Sequence, residues 1–220
     1  MSTDPSTQIR IERLITSGTI GAGRPGLPPE GVLLENNVWL VGDDSRVLII
    51  DAAHDGAAIA AAVGDRETLG VLLTHGHEDH VNAALDVANR LDTHLYLHPD
   101  DLFIWRETHG DDLPDFELAE GAVFQVGDVE LVTRHTPGHT PGSVCFVAPA
   151  LDTVFSGDTL FHGGPGATRW EYSSFPQIVE SIRRELFTLP AEMVVQPGHG
   201  AQTQIGVEQP ALESWLARGY

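Results

Sequence analysis

Three imidazoles and an aspartate stand within six residues, His75-Gly76-His77-Glu78-Asp79-His80, directly after the apolar run Val71-Leu72-Leu73-Thr74. If that run is a strand, His75, His77 and Asp79 share one side at two-residue spacing and His80 is offset from them. Imidazole nitrogen and carboxylate oxygen both bind divalent cations, so two of these side chains can hold one ion while their neighbours reach a second close by. With 11 His and 17 Asp in 220 residues, the pattern His-x-His-x-Asp-His has a chance expectation of about 0.002 in a chain this long. A run of solvated polar residues is the bland alternative, and the rarity of the pattern decides for a metal site.

Three more candidate ligands each follow a predicted strand and sit in a Gly-containing turn. They are His139 in Thr136-Pro137-Gly138-His139-Thr140, Asp158 in Ser156-Gly157-Asp158-Thr159, and His199 in Pro197-Gly198-His199-Gly200. Strand ends fix a position, and glycine lets the backbone turn so that the neighbouring side chain faces a central point. Four strand ends thus deliver five imidazoles and two carboxylates, enough for two ions with three or four protein ligands each.

The elements that must do this positioning are legible as patterns. Residues 9–15, 32–41 and 47–50 read as β-hairpin material, with Asp43-Asp44-Ser45 as a turn. The Gly/Pro-rich stretch 21–29 reads as a mobile loop and a candidate lid. From Asp51 the order becomes strand, loop, helix. Helices are predicted at 56–63, 80–91 and 100–107, with strands at 71–74 and 95–97. Later strands are predicted at 123–125, 129–135, 143–147, 153–156 and 193–195. Ile178, Ile182 and Leu186 mark a helix that Pro190 ends, and a last helix covers 209–217. Two sheets packed face to face with helices outside is the layered solution that fits.

Composition bounds the partners. The net charge is −20, from 32 acids against 12 bases, all of them Arg. Such a surface repels polyanions, so the expected partner is a small-molecule substrate, with no nucleic acid and no membrane. The absence of Lys fits both a G+C-rich coding bias and adaptation to high salt. No apolar stretch approaches 18 residues, so no membrane span is predicted. The start of the chain lacks the basic and apolar segments of a secretory signal. Cys145, the lone cysteine, reads as a small core residue, and the expected location is cytoplasmic.

The ordered set Thr74 to His80, Thr136 to Gly142, Gly157-Asp158-Thr159-Leu160-Phe161 and Pro197 to Gly200 resembles the metallo-β-lactamase-fold hydrolases. Within them it is most similar to the glyoxalase II-like (hydroxyacylglutathione hydrolase-like) group. The resemblance implies an α+β fold, a four-layer αββα sandwich of two mixed β-sheets with helices outside and the site at the sheet edges. It implies that His75, His77 and His139 hold one metal, that Asp79, His80 and His199 hold the other, and that Asp158 bridges them. The cofactors implied are two divalent metal ions, zinc first, with iron or manganese also suited to these ligands. Asp51 matches an aspartate that such proteins keep near the metals and reads as orienting a ligand imidazole. Capping of the helix that follows Gly56 is its alternative role. One domain is expected over 1–220, with the metal-binding core at about 32–200 and a short helical extension at 201–220.

The chemistry implied is hydrolysis. Two ions about 3.5–4 Å apart share a solvent molecule and lower its pKa toward neutrality. The resulting hydroxide, oriented by Asp79, attacks the carbonyl of a thioester of a small thiol, whose thiolate leaves readily. True β-lactamases carry Cys or Ser near the place of Asp158, and acyl-homoserine lactonases typically carry Tyr where Phe161 stands. The superfamily's nucleases have extra domains and basic surfaces, and flavodiiron proteins replace the second His of the first motif by Glu. Persulfide dioxygenases share His-x-His-x-Asp-His but use a single iron in the first site, and they form the rival from another reaction class. A lactone or other ester hydrolase is the further alternative. Glyoxalase II proper continues into a helical region that grips glutathione, little of which fits in the 20 residues after Gly200, so another thiol carrier stays open. The stretch 162–172 lies where the family contacts substrate. There Arg169 is the candidate for pairing with a substrate carboxylate or hydroxyl, Trp170 and Tyr172 for a wall, and His162 for solvent at the metals. A surface loop is the alternative. His54 falls with His162 between these readings, and His94, His98, His109 and His135 show no ligand pattern.

Overall fold

The structure is a computed structural model that describes residues 8–23 and 28–219. Residues 24–27 of the expected Gly/Pro loop, and residues 1–7 at the start of the chain, lie outside the described residues.

Six strands form the first sheet in sequential order: β1 (Arg10–Ile20), β2 (Val32–Gly42), β3 (Arg46–Ile50), β4 (Glu67–Leu72), β5 (Leu95–Leu97) and β6 (Phe116–Glu117). β1, β2 and β3 pair antiparallel, whereas β3 to β6 pair parallel. Parallel neighbours need crossovers. α1 (Gly56–Val63) supplies the first, α2 (Glu78–Val81) and α3 (Ala84–Leu91) the second, and α4 (Leu102–His109) the third. The second sheet contains β7 (Val123–Val126), β8 (Val129–His135), β9 (Val144–Ala148) and β10 (Thr153–Gly157). After a two-strand ribbon, β11 (Leu160–Phe161) and β12 (Gly164–Pro165), and α5 (Phe175–Ser181), it is completed by β13 (Val194–Pro197) and β14 (Thr203–Gln204). Its order is β14-β13-β10-β9-β8-β7, with only β10 and β13 parallel. α6 (Ile205–Glu208) and α7 (Leu212–Arg218) close the chain.

Period-two alternation sorts the side chains into three cores. Trp39, Val41, Leu48, Ile50 and Leu72 of the first sheet meet Leu131, Val144, Phe146 and Phe155 of the second. The intervening residues Val38, Leu40, Val47, Ile49 and Val71 turn the other way, onto Ile59, Val87 and Trp105 of the helices. Cys145, Val147, Val154 and Val195 pack outward on Ile178, Ile182, Leu186 and Trp215. Both faces of each sheet are therefore buried, which is why the central strands read as unbroken apolar runs. The layers are helices, sheet, sheet, helices, as expected. Among the described residues, no helix is long and apolar enough to cross a membrane.

Two elements differ from the sequence reading in ways that matter for the site. The helix expected at 80–91 is broken into α2 and α3 at Asn82 and Ala83. Ala83 gives its N–H to Ala52 O at 3.0 Å instead of continuing the helix, and Asn82 turns its side chain toward His54. The helix marked by Ile178, Ile182 and Leu186 forms, but after α5 it widens into a π turn over Ile182–Leu186, in which Phe187 N–H reaches Ile182 O.

Candidate metal centre

All seven expected ligands meet in one place, at the ends of β4, β8, β10 and β13 where the two sheets open. His75 and His77 leave the loop after β4, and Asp79 and His80 lie in the short helix α2. His139 comes from the turn after β8, Asp158 follows Gly157 at the end of β10, and His199 follows β13. The turns are built to allow this approach. A Cβ at Gly198 would lie 2.5 Å from His80 Cε1 and 2.6 Å from Asp158 Oδ1, so only glycine lets that segment pass behind the ligands. Gly157 has φ +48°, a left-handed turn that aims Asp158 inward.

Hydrogen bonds behind the rings decide which nitrogen faces the centre. His139 Nδ1–H donates to Ala167 O at 2.7 Å, and His199 Nδ1–H donates to Glu35 O at 2.7 Å. His80 Nδ1–H donates to Asp51 Oδ2 at 2.8 Å. Thr74 uses its only hydroxyl proton on Asp51 Oδ2, so at 3.0 Å its oxygen accepts from His75 Nδ1–H. On each of these four rings, in the neutral form a metal ligand takes, Nε2 is left as a bare lone pair pointing inward. His77 is reversed: its Nε2 lies 3.0 Å from the Tyr172 hydroxyl and its Nδ1 faces His139 Nε2 at 2.9 Å. With Nε2–H given to the Tyr172 oxygen, His77 Nδ1 is bare as well, and a cation between it and His139 Nε2 satisfies both lone pairs. Two nitrogens bound to one tetrahedral ion at about 2.0–2.1 Å stand about 3.3 Å apart; the 3.2 Å between His80 and His199 Nε2 matches this, and the 2.9 Å between His77 and His139 is tighter.

The atoms divide into two triads. His75, His77 and His139 form the first, their rings nearly perpendicular with centroids 4.6–4.9 Å apart. Asp79, His80 and His199 form the second: His199 Nε2 is 3.2 Å from His80 Nε2 and 3.1 Å from Asp79 Oδ2. Asp158 stands between them, with Oδ1 3.3 Å from His80 Nε2 and Oδ2 3.6 Å from both His139 and His199 Nε2. His75 Nε2 and Asp158 Oδ1 are buried with no hydrogen-bond partner. In neutral His80, whose one proton is on Nδ1, the 3.3 Å approach is two acceptors facing the same point, which a proton or a cation must satisfy. Unpartnered buried acceptors of this kind are costly unless they bind a cation.

The electrostatics agree. Burial, reinforced by neighbouring imidazoles, pushes His75 well down and His77 down to about 3, so both are neutral ligands at ordinary pH. Burial also lowers His139. Burial alone would raise Asp79 and Asp158, but the adjoining His80 and His199 reverse this and hold both carboxyls below the usual carboxylate range. For His80 and His199 burial is likewise overcome, by Asp158 and Asp79, and both are raised. The pocket is a buried anionic site that attracts protons or metal cations.

Asp51 sits behind both triads, accepting from His80, from the Thr74 hydroxyl and, at 2.8 Å, from the Thr74 N–H. The cap on α1 is made instead by Asp55, which accepts from Ala58 N–H. A cavity of about 760 Å³ opens over the ligands. Trp170 and Tyr172 form one side, parallel to within 6°, with Trp170 4.3 Å from the His77 ring. Ile20 and Leu34 from the first hairpin and Ile104 and Glu107 from α4 form the other sides. Arg169 lines this cavity and a neighbouring one of about 520 Å³, its guanidinium 4.8 Å from the Trp170 ring. His162 is not brought to the ligand cluster: its ring is exposed, bonded to Glu208, and lines the neighbouring cavity and a third of about 430 Å³. His98, Asp100 and His135 form a separate group. There the two rings stack at 4.2 Å and 12°, so their in-plane lone pairs run parallel and do not converge on an ion. Asn36, His54, Asn82 and Asp101 also support the centre, and no local pattern announces the roles of Asn36, Asn82 and Asp101.

Comparison with known proteins agrees with this geometry. Residues 31–199 match the model of the metallo-beta-lactamase superfamily. The chain is 33% identical over 195 residues to a probable metallo-hydrolase of Bacillus subtilis, YqgX, covering 82% of this chain and 92% of that protein. It is 28% identical over 191 residues to the hydroxyacylglutathione hydrolase GloC of Haemophilus influenzae, covering 80% and 90%. Among solved structures it resembles the B3 metallo-beta-lactamase BLEG-1, with TM-score 0.76, 25% identity and coverage of 91% and 97%. TTHA1623 in a di-iron-bound form matches with TM-score 0.71, 31% identity and coverage of 88% and 96%. ETHE1 from Myxococcus xanthus matches with TM-score 0.67, 27% identity and coverage of 79% and 76%. With its strand-end ligands, its layers and its sequence all in agreement, this chain belongs to the metallo-β-lactamase superfamily, a superfamily of metallo-hydrolases.

Proposed function

We propose that the chain is a dinuclear metallo-hydrolase that cleaves a thioester of a small thiol. The observation that carries the dinuclear reading is the position of Asp158, whose two oxygens face ligand nitrogens of both triads. When bound, two such ions, zinc by preference, supply a Lewis acid for a carbonyl oxygen and a water acidified toward neutral pH. The chain's own groups do the rest. Asp79 stays ionised at the cavity floor and is the acceptor that orients the attacking solvent. Trp170, Tyr172 and Phe161 exclude bulk water from the reacting centre. Arg169, stacked on Trp170 at the edge of the cavity, offers charge-assisted hydrogen bonds to an anionic or hydroxylated part of the substrate. The cavity suits a small molecule, and the net charge of −20 opposes nucleic acid or an anionic membrane. Similarity to a hydroxyacylglutathione hydrolase supports a thioester.

A mononuclear-iron persulfide dioxygenase is the second reading, favoured by the likeness to ETHE1 and by a first triad that is complete on its own. Against it, the second triad is as carefully oriented as the first, by Asp51 and by the Glu35 carbonyl. Elemental analysis of the purified chain, followed by parallel assays of thioester hydrolysis and of oxygen uptake with a thiol persulfide, separates the two. Two ions per chain with thioester turnover is the expected result. One iron with oxygen uptake and no hydrolysis would sink the proposal.

A further inference from the structure

His54 belongs to neither triad, yet the chain holds it with unusual care. It is a non-glycine residue at φ +63°, a strained conformation that persists only where its surroundings over-determine it. Room for its ring exists because β1 carries Gly18 there: a Cβ at Gly18 would lie 2.5 Å from His54 Nδ1. Asn82, at the break between α2 and α3, grips the residue at two points, accepting from His54 N–H at 2.6 Å and meeting Nδ1 at 3.1 Å. On the other side, His54 Nε2 lies 2.8 Å from Asn36 Oδ1. The Asn36 amide nitrogen then reaches Asp79 Oδ2 at 3.2 Å and approaches His199 Nε2 at 3.3 Å.

The direction of every bond follows from one atom whose role is never ambiguous. The His54 backbone N–H can only donate, so the Asn82 atom facing it is the oxygen and the other is the NH₂. That NH₂ donates to His54 Nδ1, which is therefore bare, so the ring proton is on Nε2. Nε2–H donates to Asn36, whose facing atom must be oxygen, and the Asn36 NH₂ is left pointing at Asp79. Were the Asn36 amide reversed, its carbonyl would face a carboxylate and a ligand lone pair. Burial, which lowers the His54 pKa, keeps the ring in the neutral form that this chain of bonds requires.

We infer that His54 is a positioning residue for the second metal position: through Asn36 it fixes the amide that holds Asp79 in its ligating orientation. The inference rests on the reading of Asp79, His80 and His199 as holders of one ion. Outer partners of this kind typically change metal affinity by about 10–100-fold. Two measurements test it. Long-range proton–nitrogen spectra of the ¹⁵N-labelled chain, as purified and after zinc loading, should show His54 as the neutral Nε2–H form; the Nδ1–H form overturns the inference. This readout needs neither a substrate nor an ion count, so its outcome is separable from that of the proposed function.

Zinc competition against a chelator is the second measurement. His54→Ala should weaken one of the two zinc ions by about 10–100-fold and leave the other unchanged. His54→Gln, which can accept at one atom and donate at the other, should recover most of that affinity. His94→Ala, which removes an exposed ring far from the centre, is the control. Both ions held as tightly by His54→Ala as by the parent would overturn the inference. So would a Gln variant as weak as the Ala variant, since ring volume would then be what matters.

Discussion

Replacing Asp51 by Asn changes almost nothing in shape and should nonetheless weaken one ion and spare the other. Asp51 has φ +61°, which Asn tolerates well, so the backbone should stay in place. The carboxylate accepts three hydrogen bonds, from Thr74 N–H, the Thr74 hydroxyl and His80 Nδ1–H. An amide has one accepting atom. If its oxygen keeps Thr74 N–H, its NH₂ turns toward the Thr74 hydroxyl and His80 Nδ1. The hydroxyl can adapt, because its oxygen has two lone pairs and can accept from the new NH₂ while still accepting from His75 Nδ1–H. His80 cannot adapt without moving its proton to Nε2, the atom that faces Asp158 at 3.3 Å and His199 at 3.2 Å. The first triad therefore keeps its lone pairs and the second loses one.

Loss of an outer partner costs about 10–100-fold in metal affinity, which is about 1.4–2.8 kcal/mol. Zinc titration in the presence of a chelator resolves the two binding steps. Asp51→Asn should weaken one step by that factor and leave the other at the parent value, with thioester turnover falling in parallel with occupancy. Equal loss in both steps, or no loss in either, would refute the tautomer argument.

Three further outcomes follow from single contacts. Asp101 is buried and accepts from Gly76 N–H, Thr140 Oγ–H and Gly142 N–H, tying together the loops that carry the first triad. Burial, partly offset by these donors, pushes its carboxyl up to about 6. A raised carboxyl contributes most stability below the unfolded value near 4 and loses it as pH rises through 6. The shift is worth about 3 kcal/mol, so in urea unfolding of chelator-treated protein the parent should gain on Asp101→Asn as pH falls from 7 to 4. A parent that loses ground to the variant over that range contradicts this. Arg169→Ala should raise KM several-fold on the true substrate with metal content unchanged, and identical kinetics would remove Arg169 from the site. Gly198→Ala forces a methyl to 2.5 Å from His80 Cε1, so it should reduce bound metal by at least one ion at stoichiometric zinc, as read by elemental analysis. Full occupancy would show that the segment can shift.

What could be read in advance follows from where each residue's information lies. Ligands are rare residue types concentrated at strand ends, so His75 to His80, His139, Asp158 and His199 announce themselves locally. The sheets were legible for a related reason: with both faces buried, 47–50 in β3, 71–73 at the end of β4 and all of β9 are unbroken apolar runs. The two-residue strands β6, β11, β12 and β14 have no periodicity to detect, because only pairing with a neighbour makes them strands. The break between α2 and α3 was hidden because Asn82 and Ala83 are unremarkable in a helix until Ala52 O and His54 offer competing partners. The positioning groups are the least legible of all. Asn36 lies 43 positions from Asp79 and 18 from His54, and in β2 it reads as one polar residue in a strand. Its meaning resides entirely in which of its two amide atoms faces which neighbour, a property that exists only once distant segments have met. A ligand can be recognised by what it is, but a positioning residue only by what it is bonded to. For that reason the further residues tuning this centre lie in contacts such as Asn82–His54–Asn36.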